Sequence, residues 1–424
     1  MAGAADIVAT NKAWRKIQKG VAQGLNFECE EVGMLDNLVK EDMPYSFREN
    51  SIVVDLNEEG GIASIGEGDF EAETGSVGLD EFAPTVQHFN GRFDISNLSK
   101  YAERGMENQL EPDLKLRAAK KIQALSAHIG DYFYGSASGV LALSDTAVGA
   151  GAASVTLSLR AAYGNTALND AGYVARLFKA QDGTGRGGDT IALVAGSTLV
   201  ANSYARITAR DTAAGTITVS FLGSVAAVAA SSGVKIVKAN SLGRAGIGHT
   251  DFNRGLVGMH DILFGASLHG LNHPNWSVAY SDTAAGRFTG MKLNRADTEL
   301  ANTGGEKAEV VMMDQGVNRD MIDNYRQALR FTDGPFGLEI DGSVKSKGRE
   351  FFSSRRVPAG WVVPRAKKAL KKWQVLPMPG NSVSWADGKE YIDKSGMVFR
   401  VETVLGVICA KRKGITYFTG QTRQ

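Results

Sequence analysis

Residues 51–91 are the stretch that most restricts how this chain can fold, because their charge has one sign and their apolar side chains are few. They contain nine Asp and Glu residues, seven glycines and no lysine or arginine, and after the strand-like run Ile52–Leu56 the apolar residues are scattered. Such a segment cannot bury a core of its own. We predict either a mobile loop or a long β-arm that becomes ordered against something basic.

The whole chain has enough apolar surface for a folded protein. It has 424 residues, 43% of them hydrophobic, and its 47 basic residues balance 46 acidic ones. This length allows about two to four units with their own cores. Two cysteines, Cys29 and Cys409, exclude a disulfide framework and a multi-cysteine metal site, as expected in a reducing cytoplasm. No targeting or membrane-spanning segment is visible, so we expect a soluble protein.

Glycine is in excess, which indicates many tight turns and much β-structure. There are 50 glycines, about 12% of the chain against an average near 7%. Between 140 and 240, short alternating runs predict strands of a compact all-β unit, a small barrel or a sandwich. These runs are Ser154–Leu159, Tyr173–Lys179, Thr190–Val194, Ala205–Ala209, Thr216–Phe221 and Val234–Val237. The motif Asp-Thr-Ala-X-Gly at 145–149, 211–215 and 282–286 is interpreted as repeated turn chemistry.

Helical periodicity is clearest from Pro112 to Phe133, where apolar residues recur every three or four positions. This spacing predicts a rod about 30 Å long. A short basic helix is expected over 11–23, where it is either simply solvated or bound to a partner. A second short helix is expected over 96–106. The section 245–424 looks α/β, with a buried strand at Ala308–Met313 and an amphipathic helix at Val317–Leu329. Further strands are expected at Leu338–Ile340, Gly360–Val363, Met397–Val401 and Ile415–Phe418.

No catalytic, cofactor-binding or metal site is predicted, and the protein is not expected to be an enzyme. Residues 183–188 match G-x-G-x-x-G, but a strand rather than a helix follows, which favours a turn. His269 and His273 have the spacing of two metal ligands on a helix, yet Gly270 and Pro274 disfavour a helix there. The stretch 265–269 falls one residue short of a nucleophile elbow. We therefore interpret the histidines as loop or packing residues.

Ten basic residues lie between 344 and 373, and Glu350 alone opposes them along the sequence. They form a solvated surface, a contact for nucleic-acid phosphates, or a contact for the acidic segment of a neighbouring copy. An acidic arm and a basic surface on one chain are what head-to-tail association requires. The residues of this inter-subunit hypothesis are Glu58, Glu59, Glu67, Asp69, Glu71, Glu73, Arg349, Arg355, Arg356, Lys367, Lys368, Lys371 and Lys372.

The order of these parts resembles the major capsid proteins of tailed bacteriophages, whose fold encapsulins share. The similarity begins with an arm, an extended loop from which residues 89–93 lead out, and a long helix. It continues late in the chain with a strand, a helix, Arg330-Phe331 and the turn Val357–Trp361. It implies an α+β fold with a spine helix in a peripheral domain and an axial α/β domain. Residues 140–240 are extra and would be an inserted β-domain. Because no lysine lies between Lys40 and Lys100, an isopeptide cross-link from the loop is not expected.

The resemblance gives an expected division of the chain. The parts are an N-terminal arm (1–50), an extended acidic β-loop (51–91), a peripheral domain with the spine helix (92–139), an inserted barrel or sandwich (140–240), an axial domain (245–365) and C-terminal strands completing the axial and peripheral domains (366–424).

The function implied is that of a coat protein that forms hexamers and pentamers of an icosahedral head around double-stranded DNA. Its partners would be other copies of itself, non-specifically bound DNA facing Lys12, Arg15, Lys16 and Lys19, and scaffold, portal and decoration proteins. No membrane partner and no cofactor are expected. The location would be the virion, after assembly in the host bacterial cytoplasm. The alternatives are a β-rich attachment protein, a hydrolase or an encapsulin-like compartment.

Overall fold

The described strands form three main β-sheets, and helices pack on each of them. The structure, a computed structural model, describes residues 38–41, 52–55, 79–96, 110–162, 171–182, 188–229, 233–241, 248–273, 275–304, 306–329, 336–338, 344–346, 349–354, 356–376, 384–390 and 396–422. The helices expected over 11–23 and 96–106 lie outside these residues, except that Ser96 ends a strand.

The first sheet is built around one long strand. Its members are β1 (Val39–Glu41), β4 (Gln87–Ser96), β19 (Leu370–Leu376), β20 (Ser384–Glu390) and β21 (Gly396–Cys409). Strand β21 pairs antiparallel with β4, β19 and β20, and β1 pairs parallel with β19. The expected strand Met397–Val401 is therefore only part of β21. Apart from this sheet, β2 (Ile52–Asp55) and β3 (Leu79–Phe82) pair as an antiparallel ribbon.

The predicted spine helix is present as α1 (Leu110–Tyr134), which at 1.5 Å per residue is about 37 Å long. Its predicted apolar stripe is buried: Ala118, Ile122, Leu125, Ile129 and Phe133 are all at most 6% exposed. The helix packs against β4 of the first sheet. Burial of this stripe therefore joins the helix to the sheet.

Strands between 140 and 250 pair in a ring and form a closed antiparallel barrel. They are β5 (Val140–Ser144), β6 (Ser154–Ala161), β7 (Thr190–Ala195), β8 (Thr198–Leu199), β9 (Ala205–Asp211), β10 (Thr216–Phe221), β11 (Val234–Ser241) and β12 (Gly248–Thr250). The ring runs β11-β5-β6-β10-β9-β7 and closes because β7 also pairs with β11. Alternate residues of β10 are buried, as expected for one face turned inward.

One predicted strand of this region is a helix instead. Residues Ala171–Arg176 form α2, where Tyr173–Lys179 was expected to be extended. Val174 and Phe178 are four residues apart and both fully buried, and α2 packs against β6 and β10. Ala175, next to Val174, is also fully buried. A helix can turn two adjacent side chains toward one core, whereas a strand would point them to opposite faces.

The repeated Asp-Thr-Ala-X-Gly motif forms the predicted turn at 211–215, whereas at 145–149 Val148 pairs with Val228 in an isolated β-bridge. Between β9 and β10, a side-chain oxygen of Asp211 accepts hydrogen bonds from the backbone N–H groups of Ala213 and Ala214 at 2.8 and 3.0 Å. Gly215 then takes a φ of 67°, which a glycine adopts without strain. Asp282 accepts the same kind of bond from Ala284 at 2.8 Å. Residues 183–187 lie outside the described part, and strand β7 follows them as predicted.

The third sheet carries the helices of the late part of the chain. Its order is β13 (Tyr280–Asp282), β22 (Thr416–Phe418), β18 (Val362–Arg365), β14 (Val310–Asp314) and β17 (Glu350–Ser354). The neighbouring helices are α3 (Met259–Phe264), α4 (Gly290–Gly304) and α5 (Gln315–Leu329). A separate two-stranded sheet joins β15 (Phe336–Leu338) to β16 (Val344–Ser346). The predicted strand Ala308–Met313 and helix Val317–Leu329 correspond to β14 and α5.

The two faces of β14 belong to different clusters of buried side chains. Val311 and Met313 pack with α4 and α5, whereas Val310 and Met312 belong to the core that extends to α1 and the barrel. Asp314 is the last residue of the strand and the N-cap of α5. Its Oδ1 accepts a hydrogen bond from the Gly316 N–H at 3.2 Å. A strand buried on both faces explains the continuous apolar run in the sequence.

Candidate assembly surfaces

The ribbon of β2 and β3 forms the base of the acidic segment and has two different faces. Val54 and Phe82 are buried on one face, whereas Val53 and Leu79 on the other face are 61% and 60% exposed. In the strand register, each exposed residue stands opposite an acidic residue of the other strand. The ribbon therefore presents an outward face that is both apolar and acidic.

A histidine holds the buried face of this ribbon. The rings of Phe82 and His269 stack with their centroids 4.4 Å apart. The Nε2 of His269 accepts a hydrogen bond from the backbone N–H of Cys409 at 3.2 Å. Burial lowers the pKa of His269 to about 4, so the ring is neutral at pH 7 and can act as an acceptor. This contact joins the ribbon to the long strand β21.

The acidic residues of the inter-subunit hypothesis lie between the two strands of the ribbon, outside the described residues. They are Glu58, Glu59, Glu67, Asp69, Glu71 and Glu73. Arg355 and the four cations predicted to face DNA (Lys12, Arg15, Lys16 and Lys19) also lie outside the described residues. These assignments stay predictions from the sequence.

Three cations of the basic cluster are used inside the chain rather than on its surface. Arg349 forms an ion pair with Asp297, which lies 52 residues away in sequence. Arg356 forms an ion pair with Asp131, which lies 225 residues away. Arg365 is fully buried, and burial lowers its pKa to about 10. The sequence count therefore overstates the basic surface, because close sequence neighbours point to different parts of the fold.

The exposed part of the cluster is a short turn before β19. Lys367 and Lys368 lie on a 3-10 turn, Lys367–Ala369, and both are exposed. The Nζ of Lys367 is 3.9 Å from a carboxylate oxygen of Glu350, and both side chains are about half exposed. Lys371 is half-buried and Lys372 is buried. Among the described members of the hypothesis, Lys367 and Lys368 are thus the cations that a neighbouring molecule can reach.

The histidines have structural contacts, as the sequence predicted. Besides the role of His269, the Nδ1 of His273 accepts the backbone N–H of Asn275 at 3.2 Å. Burial raises the pKa of Cys409 to about 12, which keeps the thiol protonated and a poor nucleophile. Within the described residues, no group of three or more His, Cys, Asp or Glu side chains could hold a metal ion. No helix in that same part is long and apolar enough to cross a membrane.

Two charged side chains that organise the fold were not singled out in the sequence. Arg412, 5% exposed, donates hydrogen bonds to the carbonyl oxygens of Ile262, Gly265 and Trp276 at 2.7–2.9 Å. Asp131 lies in the most buried turn of α1. For Asp131 a signal existed, since an acidic residue surrounded by Ile129, Tyr132 and Phe133 needs a buried partner. Arg412 lies between Lys411 and Lys413, and nothing in the local sequence distinguishes it from these neighbours.

Comparisons with known proteins identify the fold but no sequence relative. No family model matches the chain, and no curated protein matches it. By structure, it is similar to a chain of "Cyanophage A-1(L) capsid asymmetric unit", with 10% identity, 93% of each chain covered and a TM-score of 0.50.

Two weaker structural similarities accompany it. "Gordonia phage Cozz" has 10% identity, covers 92% of this chain and 87% of the other, and gives a TM-score of 0.43. "Capsid of native GTA particle computed with C5 symmetry" has 9% identity, coverage of 93% and 91%, and a TM-score of 0.43. The likeness to the cyanophage chain shows the fold: this is an α+β chain with the fold of a phage capsid subunit, and the predicted fold class is confirmed.

Proposed function

We propose that this chain is the major capsid protein of a tailed bacteriophage. It forms hexamers and pentamers of an icosahedral head that encloses double-stranded DNA. The observation that carries the proposal is the fold shared with a cyanophage capsid chain over 93% of both chains. A fold supports many functions, but coverage of almost the whole of both chains leaves little room for a separate catalytic domain. The role is structural and not enzymatic.

The proposed contact between subunits is heterologous, with the acidic loop of one copy lying on the basic turn of the next. The ribbon offers the apolar side chains Val53 and Leu79 beside its carboxylates, and the receiving side offers Lys367 and Lys368. Exposed ion pairs contribute only about 0–1 kcal/mol each. Buried apolar area supplies most of the cohesion, and the charges set the register and the choice of partner.

The proposed domains follow the division given above, with the barrel inserted between the peripheral and axial domains. The cations at 12–19 face the packaged DNA and bind phosphates without reading sequence. Assembly takes place in the host bacterial cytoplasm, and the mature location is the virion. Scaffold, portal and decoration proteins are the proposed further partners.

Electron microscopy of the expressed chain tests the proposal directly. We expect closed shells, or rings of five and six subunits, because heterologous contacts close when the rotation between copies fits. The sample should be imaged at low and at moderate salt, since screening weakens exposed charge contacts. Monomers or small oligomers under all conditions would contradict the capsid role and favour the alternative of a β-rich attachment protein.

Charge reversal tests the contact separately from the capsid role. Changing Glu67, Asp69, Glu71 and Glu73 to lysine is expected to leave the fold intact and to block or misdirect assembly, because four lysines would face a basic turn. Circular dichroism measures folding, and sedimentation with microscopy measures assembly. The matched variant adds Lys367→Glu and Lys368→Glu, which restores opposite charges across the contact and is expected to restore assembly.

Two results would reject this contact. One is normal assembly of the four-fold reversal. The other is a failure of the combined variant to assemble although Lys367→Glu and Lys368→Glu alone assemble normally. In either case the capsid proposal would stand, because microscopy tests it independently.

A further inference from the structure

The barrel is connected to the rest of the chain through two segments that lie side by side. The chain leaves α1 through residues 135–139 and returns through residues 251–258. Hydrogen bonds join the two segments: Asn253 N–H to Ser138 O at 2.8 Å, and Gly255 N–H to Ala137 O at 3.0 Å. At Gly139, with a φ of 70°, an added Cβ would lie 2.0 Å from the Asp251 carbonyl oxygen. These two segments connect the barrel to the remaining fold, and buried side chains of the barrel and of α1 also belong to one apolar core.

A buried ionic cluster spans this crossing. Asp131 lies near the end of α1, its side chain is only 1% exposed, and it forms ion pairs with two cations. The Nζ of Lys238, on barrel strand β11, lies 2.9 Å from its Oδ2, and Arg356, from the segment after β17, donates to its Oδ1. One carboxylate therefore joins three parts of the chain: the helix, the barrel and the third sheet.

A second carboxylate continues the cluster at the return segment. The Oδ2 of Asp251 accepts the Tyr132 hydroxyl at 2.6 Å and lies 3.1 Å from the Nε2 of His128. Burial alone would raise the pKa of Asp251, but the hydrogen bonds from His128 and Tyr132 outweigh it and lower that pKa. Burial, followed by the Lys238 ammonium, lowers the pKa of His128. With His128 neutral, the cluster contains the carboxylates of Asp131 and Asp251 and the cations of Lys238 and Arg356, and the carboxylate of Asp189 also acts on Lys238.

The joint is not filled by apolar packing alone. A small cavity beside Asp131 is lined by Tyr134 and Gly135 of the helix end, by Leu141 and Ala161 of the barrel, and by side chains from α2 and the segment after β17. An interior without voids resists displacement. Apolar packing at this point is therefore incomplete, and polar contacts contribute to the joint.

We propose that the ionic cluster is the latch that fixes the angle of the barrel at this double crossing. Asp131 is the positioning residue, because its carboxylate contacts a cation on each side of the joint. The apolar core of the barrel would exist without it. The cluster specifies an orientation, which is a recognised use of buried ionic groups that contribute little net stability. This proposal does not depend on the capsid role.

The test is hydrogen exchange of the full chain carrying Asp131→Asn. Removing the carboxylate charge takes away the negative group that lies between the like charges of Lys238 and Arg356. We expect amides of the joint, in peptides covering 135–139 and 251–258, to exchange about 100-fold faster. Amides of the hairpin β9–β10, inside the barrel, should keep their wild-type rate. Asp145→Asn, which removes an exposed ion pair with Arg160 on the same barrel, is the control and should change neither rate.

Unchanged exchange at the joint in Asp131→Asn would overturn the proposal. Equal acceleration at the joint and in the hairpin would also overturn it, because Asp131 would then stabilise the fold as a whole. The double variant Asp131→Asn with Lys238→Met removes one charge of each sign and leaves Arg356 without a repelling neighbour. It should restore protection at the joint, and it replaces the single variant if that one does not fold. Absence of this rescue counts against the latch.

Discussion

Replacing Arg412 with methionine is expected to lower the free energy of unfolding by about 4 kcal/mol. Its guanidinium donates to three carbonyl oxygens around the end of α3, at Ile262, Gly265 and Trp276. Methionine fills a similar volume but leaves three buried acceptors unsatisfied, each of which costs about 1–3 kcal/mol. Denaturant unfolding of the full chain measures the change.

Two further variants separate hydrogen bonding from charge. Arg412→Lys keeps the charge but has a single compact ammonium. We therefore expect its free energy of unfolding to lie between those of the wild type and of Arg412→Met. Lys413→Met changes the next residue of the same turn and is expected to shift the unfolding free energy by less than about 0.5 kcal/mol, as surface substitutions do. Equal losses for Arg412→Met and Lys413→Met would contradict the structural role of Arg412.

Acidification is expected to destabilise the fold, with His269 as the largest single contributor. Its pKa is about 4 in the folded chain, against 6.5 for an exposed histidine, so the unfolded state binds the proton more readily. The stabilisation is complete above about pH 6.5 and is lost as the pH falls toward 4. At 1.36 kcal/mol per pKa unit, the loss is about 3 kcal/mol. Protonation also removes the acceptor for the Cys409 N–H.

The measurement is the unfolding free energy at several pH values between 7.5 and 4. His269→Gln is the matched variant, because the glutamine amide oxygen can accept the same N–H and does not titrate. We expect the variant to be less stable at pH 7.5 and to depend less on pH across this window. An unchanged slope in His269→Gln would show that other groups cause the acid sensitivity.

Elements with a clear period could be predicted from the sequence. The stripe from Ala118 to Phe133 defines α1, and alternation defines β10 to the residue. The long strand β21 was recognised only over Met397–Val401, since Glu402, Thr403 and Gly406 interrupt the apolar pattern. Thr403 is nevertheless fully buried, because it lies on the same face of β21 as the buried residues Val401 and Leu405. Tertiary packing of this kind leaves no mark in a local window.

The candidate surfaces show the same limit for charge. The sequence shows that acidic and basic residues are segregated along the chain, but it could not show where each cation points. Arg349 and Arg356 belong to the same basic stretch of the sequence as Lys367, yet their partners are in α4 and α1. Pairing is decided by the topology, which brings distant segments together. Lys367 and Lys368 remain on the surface because their turn precedes β19 at the edge of the buried layer.

The pairing of β4 with β21 has a consequence for the order in which the protein becomes complete during synthesis. Residues 87–96 need residues 396–405 as their partner, and β18 needs Phe418 of β22. Contacts so far apart in sequence form late and slowly. The ribosome must therefore synthesise the chain to about residue 418 before all strands of the first and third sheets can pair. If the chain assembles as proposed, this delay keeps unfinished copies from joining a growing shell.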